Sequence, residues 1–171
     1  MRPVRCVCLA VILSLLRLAP ASGQSGPEAA PEITYWIQGG PAATTLGVGM
    51  TAGGGLMIDR HVFSLRGVST DPAVGGETWE VAFLYGRATV AGPLFMSAGA
   101  GVSVVGGTRY PRLFGGGRGE PFDPMIGFPL EGHLAWTPAG AVSLGLYAFA
   151  NVNTAHPLGG LGLLLRLGPL R

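Results

Sequence analysis

The chain has no lysine, and charged residues make up only 12% of its 171 residues, against 48% hydrophobic. That is about half the charged share of an ordinary soluble domain. After the first turns of the chain no apolar run reaches the 18 or more residues that a transmembrane helix requires. Cysteine is confined to Cys6 and Cys8, so the rest of the chain has no disulfide and no thiolate metal site. A basic surface for nucleic acid is also missing. The formal charge is +2, and three of the 11 arginines (Arg2, Arg5, Arg17) sit at the N-terminus; without them the balance is −1. What is abundant is glycine, at 30 residues, too many for helices and too scattered for a collagen repeat. High hydropathy without a long apolar run is the signature of alternation.

The N-terminus reads as a leader. Arg2 and Arg5 precede CVCLAVILSLL and then APASG, a charged start, an apolar core and a small-residue exit. This is a secretory signal peptide over residues 1–23, followed by a flexible lead-in at 24–32 and a single domain at 33–171. Neither cysteine sits at the small-residue exit where a lipoprotein would be acylated.

The domain is organised around Thr78–Gly106. Trp79, Val81, Phe83 and Tyr85 share one strand face, and Glu80, Ala82, Gly86 and Ala88 the other. A turn at Gly92-Pro93 joins this run to the next. The run is about 13 residues long, where an ordinary strand has about 5–6. Around this hairpin the same alternation predicts six further strands: 33–40, 44–58, 61–70, 126–136, one from Val142, and 158–168. The greasy faces carry Tyr35 and Ile37, Val48 and Met50, Phe63 and Leu65, Ile126 to Trp136, Leu144 and Leu146, and Leu161 to Leu167. The opposite faces are mostly Gly, Ala, Ser and Thr. The connections alternate: medium at Gly40–Thr44, tight at Asp59-Arg60, long at Asp71–Glu77, tight at Gly92-Pro93, very long at Gly107–Asp123, tight at Pro138–Gly140, long at Val152–Pro157. A transmembrane barrel with both termini in the periplasm has this asymmetry. The fold class is therefore all-β, an up-and-down antiparallel transmembrane barrel of about eight strands. A soluble β-sandwich or secreted barrel binding a small apolar ligand is the competing reading, but its polar face would carry many more charges.

By leader, strand count, loop alternation and aromatics near strand ends (Tyr35, Trp36, Trp79, Phe95, Phe128, Trp136), the chain resembles the small outer-membrane β-barrel family of Gram-negative bacteria, the OmpX-like and OmpA-like eight-stranded barrels. The resemblance implies residence in the outer membrane among its lipids. It departs at the C-terminus, where many members end in an aromatic residue used in assembly and this chain ends Leu170-Arg171.

The inward face holds an ionisable set: Arg66, Glu80, Glu131, His133 and Arg166, with Gln38 adjoining. Removed from bulk water, these groups must pair. Arg66 with Glu80, and Glu131 with Arg166, are the expected partners, forming a structural plug that fills a narrow lumen. A proton-linked site in the same residues is the competing role. A lipid-acting enzyme would need a Ser–His–carboxylate set, for which Ser143 facing His133 and Glu131 is the candidate. No G-x-S-x-G motif occurs, no His/Asp/Glu spacing resembles a metal site, and no cofactor is implied. His61 and His156 read as loop residues. The long loop offers Arg109, Tyr110, Arg112, Phe114 and Arg118 for contact with lipopolysaccharide or an extracellular partner, because arginine pairs with phosphate. The expected role is structural or surface-interacting, with a filled lumen rather than an open pore.

Overall fold

The computed structural model describes residues 32–70, 76–109, 119–154 and 157–169. The leader and lead-in before Glu32 therefore lie outside the described residues. Eight strands form one closed antiparallel sheet in sequence order: β1 (Ile33–Thr44), β2 (Gly47–Ile58), β3 (His61–Thr70), β4 (Gly76–Ala91), β5 (Leu94–Arg109), β6 (Glu120–Ala139), β7 (Val142–Val152) and β8 (Leu158–Leu167). Closure leaves no sheet edge unpaired, which is the condition for a sheet to exist in lipid.

Three two-residue turns, Asp59-Arg60, Gly92-Pro93 and Gly140-Ala141, lie at the end of the barrel where the described chain begins and ends. Asp59 takes the left-handed conformation (φ 58°), as do Gly92 (58°) and Gly140 (36°). Two-residue hairpins need that geometry, and Gly, Asn and Asp supply it most cheaply. Asp59 N–H donates to Glu32 O (3.1 Å) and Gly168 N–H to Ala141 O (2.9 Å), tying both ends of the strand set to this turn end.

Three boundaries differ from the sequence expectation. Gly40-Pro41 read as a turn, yet β1 runs through it to Thr44, and the connection is the tight pair Thr45-Leu46. Thr44 Oγ1 closes that turn, donating to Gly47 O (2.7 Å) and accepting from Leu46 N–H (3.1 Å). Proline is tolerated because the β1–β8 ladder is interrupted there. Ile37–Gly39 and Ala42–Thr44 pair with β8, but Gly40 and Pro41 do not, so the missing N–H costs no ladder bond at that seam. Second, the first connection at the loop end, expected to be of medium length, is as short as the turns at the other end. Third, β5 and β6 continue to Arg109 and back from Glu120, extending a hairpin past the expected strand limits.

The seam gives a direct prediction. In amide hydrogen exchange, the β1–β8 backbone around Gly40 and Leu163 exchanges before the uninterrupted β4–β5 ladder, since local openings start where ladder bonds are fewest. Equal protection in the two ladders would contradict it.

Side chains alternate as the sequence pattern requires, with the apolar stripe outside. Ile126 is 71% exposed, Tyr35 68% and Leu161 67%, while Arg66, Glu80 and Arg166 are at most 2% exposed. The core is therefore the lumen. It has an apolar cluster near the turn end (Trp36, Met57, Val62, Ala88, Phe95, Ala135) and another near the loop end (Ala42, Val68, Tyr147, Phe149, Leu158, Leu164). The charged layer lies between them.

Candidate functional site

The alternation of β3, β4, β6 and β8 delivers Arg66, Glu80, Glu131, His133 and Arg166 to the same interior layer. Arg66 forks between two carboxylates: Nη1 donates to Glu131 Oε2 (2.7 Å) and Nη2 to Glu80 Oε2 (2.9 Å). Glu80 Oε1 also accepts from Asn151 Nδ2 (2.7 Å), which donates in turn to Ser103 Oγ (2.6 Å). On the other side, Glu131 Oε1 meets His133 Nε2, and His133 Nδ1 meets Arg166 Nη2 (2.9 Å). Arg166 then forks onto Gln38 Oε1, through Nε (3.2 Å) and Nη2 (2.9 Å), and Trp36 Nε1 donates to the same oxygen (2.9 Å).

The donors fix the protonation of this chain of contacts. A guanidinium has no acceptor, so Arg166 must donate and His133 Nδ1 must accept. The imidazole proton therefore sits on Nε2 and points at Glu131. Two arginines balance two carboxylates in this layer. This balance of charge matters in a buried layer, because desolvation of each ion is costly.

Both guanidinia also lie over rings. Arg66 sits 4.6 Å from the Phe149 centroid, and Arg166 sits 4.6 Å from Trp36 and 4.3 Å from Phe95. Arg66 Nε and Arg166 Nη1 have no hydrogen-bond partner. Cation–π attraction at these faces offsets part of that deficit, by about 0.5–2 kcal/mol per contact.

Glycine opposite an aromatic is the other packing device. Trp36 is paired with Gly55, Trp79 with Gly106, Tyr147 with Gly162 and Phe149 with Gly160. In each pair the ring occupies the space a Cβ would need; that distance is 2.6 Å at Gly106 and 2.7 Å at Gly160. Part of the high glycine content thus makes room for rings on a tightly curved sheet.

Several expectations change. Glu131 and Arg166 do not pair directly: Arg66 takes the carboxylate and His133 intervenes. Glu131 and His133 do touch, because side chains two apart on one strand lean together. Ser143 does not reach His133; its hydroxyl is 2.8 Å from Thr137 Oγ1. Both imidazole nitrogens are already engaged, so no serine–base pair forms among the described residues. Trp36 and Phe95, two of the aromatics near strand ends, form an edge-to-face pair inside (5.7 Å), beneath Arg166. Their position was legible: Trp36 shares parity with Gln38, and Phe95 with Ser97 and Ser103. Asn151 was placed on the polar face, but its bridging role needs three-dimensional proximity across β4, β5 and β7. His61 is the first residue of β3, not a loop residue, and His156 lies outside the described residues. So do Tyr110, Arg112, Phe114 and Arg118; Arg109 ends β5. Among the described residues no group of three or more His, Cys, Asp or Glu is arranged to hold a metal ion.

A cavity of about 10 Å³, the room of a single water, touches Ser64, Ser97, Glu131 and His133. Around it, buried side chains from all eight strands line the lumen. The exterior is the inverse. Its exposed charges among the described residues are Glu32, Asp59, Arg60 and Arg87 toward the turn end, and Glu77, Glu120 and Asp123 toward the loop end. On β4 the ten steps from Glu77 to Arg87 span about 23 Å along the barrel normal at ordinary rise and tilt. That matches the apolar band of a transmembrane barrel, about 25 Å tall.

No protein-family model matches the chain, and no curated protein matches it. Solved structures do match in fold. The crystal structure of neisserial surface protein A (NspA) is 14% identical, with a TM-score of 0.52 over 81% of this chain and 97% of that one. The N-terminal β-barrel domain of Pseudomonas aeruginosa OprF is 12% identical, with a TM-score of 0.59 over 81% and 98%. The chain has the fold of the eight-stranded outer-membrane barrels.

Proposed function

We propose that this chain is a structural outer-membrane barrel that presents its loop end to a partner or to surface lipid and conducts no solute through its lumen. The observation that carries this is the inversion of faces: an apolar exterior around a buried ionic layer whose charges balance within the lumen. A soluble ligand-binding barrel would need the apolar face inside. A proton relay is disfavoured by the arginines. Arg66 and Arg166 flank the Glu131–His133 pair, and a guanidinium has no lone pair to accept a hopping proton. A lipid-acting enzyme is disfavoured by the engaged imidazole and by Ser143 bound elsewhere. The arginine- and aromatic-bearing segment from Arg109 to Arg118 is the surface we assign to lipopolysaccharide or an extracellular partner.

Two measurements test this. The chain expressed with its leader should fractionate with the outer membrane in detergent and shift on a denaturing gel when boiled, as a closed barrel opens. Liposomes carrying the folded barrel should retain small ions and sugars. A soluble, unshifted protein would overturn the membrane assignment, and rapid efflux would overturn the filled lumen.

A further inference from the structure

The outward face of β3 and β4 changes character at the turn end. Three rings run down to that edge: Phe63 lies 5.3 Å from Tyr85, and Tyr85 lies 5.9 Å from His61. The Tyr85 hydroxyl is 2.7 Å from His61 Nδ1. Arg87 is the direct register partner of His61. Arg60 precedes His61 in the turn, and its carbonyl accepts from Ala88 N–H (2.9 Å). Arg60, His61 and Arg87 thereby lie within one residue of each other in the β3–β4 register, at the turn-end edge of the apolar belt. Of the acidic groups at this end, Asp59 shares the β2–β3 turn with Arg60 and is joined to Glu32 by a backbone bond, and neither carboxylate makes an ion pair with Arg60 or Arg87.

The ion pairs among the described residues are all in the lumen, so Arg60 and Arg87 have none. His61 uses only Nδ1, leaving Nε2 open. Unpaired guanidinia at the edge of hydrocarbon need an anion at headgroup depth, and a phosphodiester suits them because arginine donates to it in a planar fork. Directly above, half-buried Phe63 and exposed Leu65, Phe83 and Tyr85 offer an apolar track on the same two strands.

We propose that Arg60, His61 and Arg87 form a headgroup site for one anionic phospholipid, with its phosphodiester among the three basic groups and its acyl chains over Phe63, Leu65 and Phe83. The proposal rests on the membrane-barrel reading above. The site would give the barrel a chemical preference for the leaflet at its turn end, and would set its depth.

The test is native mass spectrometry of the full folded barrel, released from detergent with equal amounts of phosphatidylglycerol and phosphatidylcholine of matched chains. One phosphatidylglycerol should be retained in preference. Each of Arg60→Gln and Arg87→Gln should lower that preference about fivefold, the scale of one basic residue near an anionic surface. Glu77→Gln, at the opposite end, should leave it unchanged. No preference in the parent protein, or an undiminished preference in the Arg60→Gln/Arg87→Gln double variant, would overturn the site. The heat shift on gels separates the two levels. If it persists while the preference is absent, only the lipid site falls; if it is absent, the barrel reading falls with it.

Discussion

Replacing Arg66 with methionine should lower the unfolding free energy by about 3–5 kcal/mol, the cost of leaving buried charges without their partner. Among the described residues Arg66 alone hydrogen-bonds to both Glu131 and Glu80, donating at 2.7 and 2.9 Å. Without it two carboxylates would face each other inside the barrel, and the Phe149 ring would lose its cation. Glu80 would keep Asn151, and Glu131 would keep His133, so the barrel should still close but should unfold at lower urea. The charge-free version separates lost packing from lost pairing. The triple variant Arg66→Met/Glu80→Gln/Glu131→Gln should recover most of the loss, because buried ion pairs can be replaced by neutral groups of similar shape at little net cost. Equilibrium unfolding in urea, followed by the fluorescence of Trp36, Trp79 and Trp136, reads both variants. An unchanged midpoint in Arg66→Met would show that the ionic layer does not hold the lumen together.

The fold was legible to the extent that it depends on parity. Period-two alternation needs no knowledge of partners, so Val81, Phe83 and Tyr85 could be set outside and Arg66, Glu80, Glu131, His133 and Arg166 inside from the chain alone. Partner choice was less legible. Arg66 with Glu80 follows from adjacent strands, but the contact of Arg66 with Glu131 runs from β3 to β6 across the lumen, and only the closed barrel defines that distance. His133 between Glu131 and Arg166 is hidden for the same reason. Gly40-Pro41 failed for a different one. Its local chemistry is that of a turn, and it is tolerated in a strand only because the ladder to β8 is broken there. The aromatic positions mixed the two cases. Tyr35, Trp79, Phe128 and Trp136 are outside, whereas Trp36 and Phe95 follow their parity inward to support Arg166.

A valine at position 162 should cost about 3 kcal/mol, although it adds only three carbons to a strand of good β-formers. Gly162 is the register partner of Tyr147, and a Cβ there would enter the Tyr147 ring. The backbone on either side is fixed by the β7 and β1 ladders, so the ring must move instead. Tyr147 is stacked on Phe149 (5.7 Å, 12°) and lies 6.0 Å from His133. Displacing it therefore disturbs the ring beneath Arg66 and the imidazole that links the two halves of the ionic layer. Tyr147→Ala alone should cost about 3–5 kcal/mol, as for other buried aromatic truncations. The two changes should not add. With the ring gone, Gly162→Val fills part of the vacated space, and the double variant should be more stable than Tyr147→Ala by itself. Such a reversal of sign means a coupling larger than the ~3 kcal/mol cost of Gly162→Val alone, at or above the top of the range for residues in direct contact. Simple addition of the two losses would mean that glycine at this position serves the curvature of β8 and not the seat of the Tyr147 ring.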